Sequence, residues 1–462
     1  MANVIFVPAD FPTIAAAIVA ANEFDTILVA PGVYNETIIV NKTIQLHGAQ
    51  SGVDARTRFP LAESTITGNN ASGVVQVTAD NVVIDGFTVQ NNSAGPGITT
   101  SPLTSGYWIF NNIIQNNVLG LYLNSSGLTF SQARFNLIQS NNQPGAATGN
   151  GIYTDQASVN VFIDNNKFQG THANASINFS GVAPGVQEDI LIANNLMVQD
   201  NSIALTNTTN VKITNNTMLN TQGSSIFIAG GTDRTEIESN ILHNSISNGI
   251  SVNNVFDPDD NTNIRAKLNS IQGNTVAGLN IAAGSYNTTP PNRRLDATNN
   301  WWGSASGPAP IGTGDTVIDP DAVAEITPFL TADPTASQAI PGNMLSTGPI
   351  QRNGSNVQTI IVDVLNNDPL TMAVVEIRGF IMGTAGPKTP FVHEIFTLDP
   401  STKIQKTYSV SGFEEYEFQF GITATDAVHI SIWPRDIGGN LLPTQRIVTS
   451  ELQQISILTP IS

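Results

Sequence analysis

The chain has 462 residues, no cysteine, and a formal net charge of -18 from 36 acidic and 18 basic side chains. That balance repels nucleic-acid backbones and anionic membranes, and the missing cysteine excludes disulfides and thiolate metal sites. Only 12% of the residues are charged, about half the usual share, so Asn, Ser, Thr, Gln and Gly must carry most polar interactions.

The opening stretch MANVIFVPADFPTIAAAIVAA has no basic leader and is broken by Asp10 and Pro12, with Glu23 and Asp25 just beyond. It reads as neither a signal peptide nor a membrane span, and no later run is long and apolar enough to insert into a bilayer. Residues 12–21 read as an amphipathic helix with Ile14 and Ile18 on one face, its start capped by Asp10 or Thr13. Strands follow at 26–29, 37–40 and 43–46, with Pro31-Gly32 turning the chain between the first two.

A repeat then runs to residue 302. Its mark is an Asn followed two residues later by a large apolar side chain: Asn112, Asn136, Asn166, Asn195, Asn216, Asn240, Asn269 and Asn300. Successive members stand 21 to 31 residues apart, as loops of unequal length would give. Asp85-Gly86-Phe87 fits the same frame upstream, with Phe87 in the Asn slot. Apolar residues two apart, such as Ile190 and Ile192, mark strands with one buried face. One repeat has too few apolar residues for a core, so repeats must stack, each strand ~4.8 Å from its counterpart. Like residues then lie over like: apolar columns fill the interior and the Asn column forms a ladder of amide-to-amide hydrogen bonds. Asn also tolerates the left-handed backbone of a sharp bend. The fold expected is all-β, a parallel coil over residues 1–332, its ends closed by the helix and by the segment from Trp301 to Leu330.

Residues 333–348, rich in Pro, Ser, Thr and Gly, read as a linker. Beyond it the Asn frame stops. Strand-like runs at 359–365, 372–381, 393–398, 404–410, 416–423 and 428–433 suit a small β-sandwich over 349–462.

The opening DFPTIAAAIVAANEFDTILVAPGVYNETIIVNKTIQLHGA resembles the start of the pectate-lyase-like, or NosD-like, right-handed parallel β-helix superfamily. NNWWGSASGP, from Asn299 to Pro308, with Thr327-Pro328-Phe329-Leu330 after it, resembles the closing element of bacterial surface proteins with these repeats. The C-terminal TGPIQRNGSNVQTIIVDVLNN and SIWPRDIGGNLLPTQRIVTSEL resemble short all-β proteins of spore-forming bacteria. The resemblance implies a right-handed coil but no one activity, because lyases, hydrolases, epimerases, adhesins and scaffolds share it.

Chemistry is sparse. Phe256-Asp257-Pro258-Asp259-Asp260 resembles the FDPH-type motif of alginate epimerases, but Asp259 stands in the His slot and Asn254-Val255 replaces Tyr-Gly. Asp257, Asp259 and Asp260 remain the candidate acids, or the oxygen ligands of a loop calcium; the plainer alternative is an exposed Asp-Pro turn. Basic residues are scarce in the coil; Arg134, Lys167, Lys212, Arg234, Arg265 and Lys267 are the candidates and sit in no recognisable motif. Asp85 and Asp164 read as solvated carboxylates, and His47, His172 and His243 as surface polar groups. Trp301 and Trp302 read as packing residues of the closing coil. Tyr107 and Trp108 follow a long turn, where a sugar platform is plausible chemistry.

Three readings follow. The first is a non-catalytic structural or surface protein: a rigid spacer with a C-terminal module for attachment or self-association, built on strands that include Val374, Val375, Ile377, Phe380 and Ile381. The second is carbohydrate binding through Tyr107 and Trp108, with polysaccharide or a surface protein as partner. The third is a polysaccharide lyase, epimerase or hydrolase acting through the Asp257–Asp260 loop. The expected location is a cell or spore surface reached without a signal peptide, or a phage or injection-particle fibre.

Overall fold

A computed structural model describes residues 3–56, 62–181, 186–289, 293–334, 344–352, 357–367, 373–383, 388–399, 401–423, 428–455 and 458–459. The chain divides into two compact units, Met1–Pro334 and Thr335–Ser462. Among the described residues no helix is long and apolar enough to cross a membrane.

The first unit is a parallel coil. Each turn gives one strand to each of three sheets, as in Trp108–Phe110 (sheet A), Ile113–Gln115 (sheet B) and Leu119–Tyr122 (sheet C), before the next turn restarts sheet A at Ser125–Arg134. Every pairing between successive turns is parallel and like residues stack. Ile109 lies under Ala133, Ile114 under Ile138 and Leu121 under Ile152. These inward columns are fully buried and form one continuous core, each large apolar side chain contributing roughly 1.5–3 kcal/mol. Gly120 shows how tightly neighbouring turns approach: a Cβ there would stand 2.5 Å from the Gly151 carbonyl oxygen.

The ladder is present and buried. Asn195 Oδ1 accepts from the backbone N–H and the side-chain amide of Asn166, at 2.9 and 3.1 Å. Its own amide donates to the Ile163 carbonyl at 2.9 Å and to Asn216 Oδ1 at 3.0 Å. The same pattern runs from Asn112 to Asn300. The left-handed bend lies one residue earlier than expected. Asn111, Phe135, Asn165, Asn194, Asn215, Ser239, Leu268 and Asn299 have φ of 54 to 58°, and the ladder Asn residues do not. The preceding residue bends the chain; the ladder Asn satisfies the backbone groups that the bend strips of partners.

A helix closes the first coil at Ile14–Ala20, with Ile14, Ala17 and Ile18 in the core. Thr13, not Asp10, is its cap, accepting from Ala16 N at 3.1 Å; Asp10 accepts from Phe6 N instead. Glu36 takes the N–H groups of Ile14 and Ala15, and Lys42 donates to the carbonyls of Ile18, Val19 and Ala21. The strand Gly32–Asn35, where only a turn was expected, starts sheet B. At the far end Trp302 is fully buried and Phe329 packs on the core.

The second unit is antiparallel. One sheet runs Thr389–Leu398, Ala373–Met382, Glu415–Thr423, Met344–Ser346, Gln453–Gln454; the other runs Lys403–Ser409, Thr359–Asn366, Val428–Arg435, Ile447–Val448. Apolar residues of both enclose one core. Met344–Ser346 falls in the expected linker yet pairs with Glu415–Thr423; of that linker, 335–343 lies outside the described residues. Met372 and the Val374 side chain also lie outside them. Ala373–Met382 is not an open edge. It pairs on both sides, and Val375, Ile377 and Phe380 are buried, because their alternation faces the unit's own core.

Candidate functional site

Parity along one short strand decides the fate of the expected sugar platform. Tyr107 shares the inward side with Ile109 and is 1% exposed. Its hydroxyl is held by Thr104 and the Ser101 carbonyl, and burial pushes its pKa up to about 12. It is a core residue, not a ligand contact. Trp108 points outward, 43% exposed, on sheet A. It stacks on Phe110 at 5.6 Å and lies near Phe130, which stacks on Phe162.

The acidic loop does not gather its carboxylates. Asp257 accepts from Asn207 Nδ2 at 2.7 Å and from the Asp259 backbone N–H at 2.8 Å, so both oxygens hold the loop in place. Asp259 and Asp260 are exposed. Among the described residues no group of three or more His, Asp or Glu is arranged to hold a metal ion.

Other groups are more engaged than expected. Asp85 is buried and accepts from Ser51, Gly52 and Asn111; Asp164 is buried and holds Gln132, Asn165 and Arg134. His47 and His243 are half-buried against Ser51 and Ser270. On sheet A the bases are paired: Lys212 with Glu236 and Glu238, Arg265 with Glu236, Lys267 with Asp296, Arg234 with Asp233. Lys167, between Leu137 and Leu196 on sheet B, has a pKa lowered by burial and by Arg56.

His172 departs furthest from expectation. It is 0% exposed and lies in a second buried ladder, at the corner between sheets B and C, through Asn92, Asn117, Asn141, His172 and Asp200. Asn141 Oδ1 accepts from Asn117 N, so its amide must donate toward His172 Nε2 at 3.3 Å. The ring proton therefore sits on Nδ1 and faces Asp200 at 2.8 Å. Burial raises the Asp200 pKa, but hydrogen bonds from His172 and Asn201 outweigh it and hold the carboxyl below its usual value. A depressed carboxylate gives stability that is present above its unfolded pKa, near ~3.9, and lost as pH falls through the lower folded value. Asp200→Asn is expected to flatten the acid limb of the stability curve below about pH 4, read by thermal unfolding at stepped pH; an unchanged limb would contradict the assignment.

Sheet C carries the arrangement that sequence reasoning missed. Its outward column runs from Thr99 through Tyr122, Tyr153, Asn178 and Ala204 to Phe227. Tyr122 and Tyr153 stack at 5.9 Å with their planes 30° apart. The Tyr122 hydroxyl donates to Asp155 and accepts from Gln156 Nε2 at 2.6 Å. Burial, then Asp155, raises both phenols, Tyr153 to about 12, so they stay protonated as donors. An apolar ring pair thus sits beside a carboxylate, an amide and phenolic hydroxyls. The outward Tyr after Leu121 and after Ile152 was the available signal, obscured by a loop of different length in each turn.

By architecture the chain is a parallel β-helix protein with a separate antiparallel β module. Neither a family model nor a curated protein matches the sequence. Among solved structures the chain is similar to an alginate lyase from Paenibacillus sp. (12% identity, TM-score 0.42, 70% of this chain and 99% of that one). It is also similar to the A-module of an Azotobacter vinelandii mannuronan C-5 epimerase (12%, 0.45, 68% and 92%). A third is a tailspike capsular polysaccharide depolymerase from an Acinetobacter baumannii bacteriophage (10%, 0.33, 97% and 86%). These likenesses concern the fold alone.

Proposed function

We propose that this is a non-catalytic carbohydrate-binding surface protein, a rigid coil that presents a glycan-contact face on sheet C, with the C-terminal module serving attachment or self-association. The observation that carries the reading is the Tyr122–Tyr153 stack with Asp155 and Gln156 beside it. Sugar rings offer C–H faces to aromatic rings and hydroxyls to carboxylates and amides, and this face supplies both kinds of partner within two neighbouring turns. The buried ladders hold those turns in fixed register, so the platform needs no ordering on binding. Association through the C-terminal module would use its edge strand Thr389–Leu398, which among the described residues is paired in its sheet with Ala373–Met382 on one side.

Tyr153→Ala is expected to weaken binding to oligosaccharides by about tenfold or more while leaving the thermal unfolding of the coil close to wild type. Trp108→Ala, on the opposite kind of face, is expected to leave affinity unchanged. Titration calorimetry against an oligosaccharide panel measures both. Binding that survives Tyr153→Ala and is lost in Trp108→Ala would move the site to sheet A and refute this one.

A further inference from the structure

We propose that the glycan taken by sheet C is uncharged, a chain of neutral hexose or N-acetylhexosamine units and not a uronate or sulfated polymer. The inference rests on the carbohydrate reading of that face. It comes from where the coil puts its few cations. No strand of sheet C, from Ile38–Val40 to Gly314–Ile318, contains a Lys or Arg. The corners that lead from sheet B into sheet C, such as 116–118, 140–149 and 170–174, contain none either. Arg134, Lys212, Arg265 and Lys267 stand on sheet A, each beside an acid, and Lys167 on sheet B. On the connections that leave sheet C, Lys42 and Arg294 are taken up by backbone carbonyls and Arg293 is exposed, none of them on a sheet C strand.

The charge that sheet C does present is negative. Asp155 sits at the Tyr pair, and Asp257 lies in the loop that carries Phe256 against Phe227. A polyanion laid along Tyr122 and Tyr153 would bring carboxylate or sulfate against Asp155 with no cation on the sheet to offset it. Repulsion of like charges at a half-buried surface is stronger than in bulk water, and the chain's net charge of -18 adds to it at longer range. A neutral sugar meets none of this. Its hydroxyls donate to Asp155, and its ring C–H groups lie on the tyrosines.

The test uses the full chain and matched probes: hexamers of β-linked glucose and of N-acetylglucosamine against hexamers of galacturonate and mannuronate. Titrations run at 50 mM and 500 mM salt, with and without calcium, on wild type and Tyr153→Ala. The expected result is binding of a neutral hexamer that is insensitive to salt and at least tenfold weaker in Tyr153→Ala. The uronates are expected to bind at least a hundredfold more weakly, improving only as salt screens the repulsion. A uronate bound more tightly than either neutral probe, and lost in Tyr153→Ala, would overturn the charge inference while keeping sheet C as the site. If no probe of either class binds, and the Tyr153→Ala protein behaves as wild type throughout, the carbohydrate reading falls and this inference falls with it.

Discussion

Trp302→Ala is expected to destabilise the coil by about 3–5 kcal/mol, the cost of emptying a large buried aromatic site. Trp302 is 0% exposed and belongs to the core cluster of the first unit. The indole lies so close to Gly278 that a Cβ on that glycine would meet it at 2.9 Å, with Ile271 at 3.1 Å on the same side. It therefore covers the end of sheet B at Ser270–Gln272, inside the final turn that Gly314–Ile318 and Pro308–Ala309 add to sheet C. Truncation leaves a cavity near the end of the coil, where only short closing strands remain to relax around it. Trp301→Ala is the control, because Trp301 is half-buried and its Nε1 donates to Gln272 at the surface. Denaturant unfolding of both variants gives the comparison. Equal midpoints for Trp302→Ala and wild type would show that the coil end is closed by something else.

Asn195→Leu is expected to cost about 2–3 kcal/mol, because the loss falls on buried backbone groups and not on the side chain alone. Removing the amide leaves the buried Asn166 N–H without its partner, takes one donor from the Ile163 carbonyl, and breaks the link between Asn166 and Asn216. Leu keeps the branching of Asn but its methyl groups are bulkier than the amide, so mild overpacking adds to the cost. The residue before it is a useful contrast. Asn194 has φ of 55° but takes no place in the ladder, and Asn194→Gly should be close to neutral or mildly stabilising, since glycine adopts that backbone freely. Chemical denaturation measured on both variants separates the two jobs that one Asn column was first given. Unchanged stability in Asn195→Leu would sink the ladder.

The parts of this fold legible in the sequence are those in which one residue type repeats at one place in every turn. Asn112 to Asn300 kept their identity through loops of unequal length, so the first ladder and the stacking it implies could be read directly. The second ladder changes chemistry from turn to turn, through Asn141, His172 and Asp200, and a column whose members differ leaves no period to find. His172 looked like a surface polar residue because its partner is 28 residues away. The Tyr122–Tyr153 pair was hidden for a related reason. Tyr122 and Tyr153 are 31 residues apart and become neighbours only once the intervening loop is known to leave the sheet. Tyr107 and Trp108 were read together as one platform, although Ile109 fixes the inward side and Tyr107, two residues before it, must share that side. In the second unit the main strands were legible from their alternation, but apolar alternation does not tell an edge strand from a central one, and Ala373–Met382 proved central.

The central claim is that sheet C, between Tyr122 and Tyr153, is the surface this protein offers to carbohydrate. A crystal structure of the full chain soaked with the tightest-binding neutral hexamer tests it most directly. The account predicts a sugar ring packed on the two tyrosines, with a hydroxyl within hydrogen-bond distance of Asp155 and the chain running along the outward column toward Asn178. Sugar seated on Trp108 and Phe130 of sheet A, with sheet C bare at saturating ligand, would contradict it.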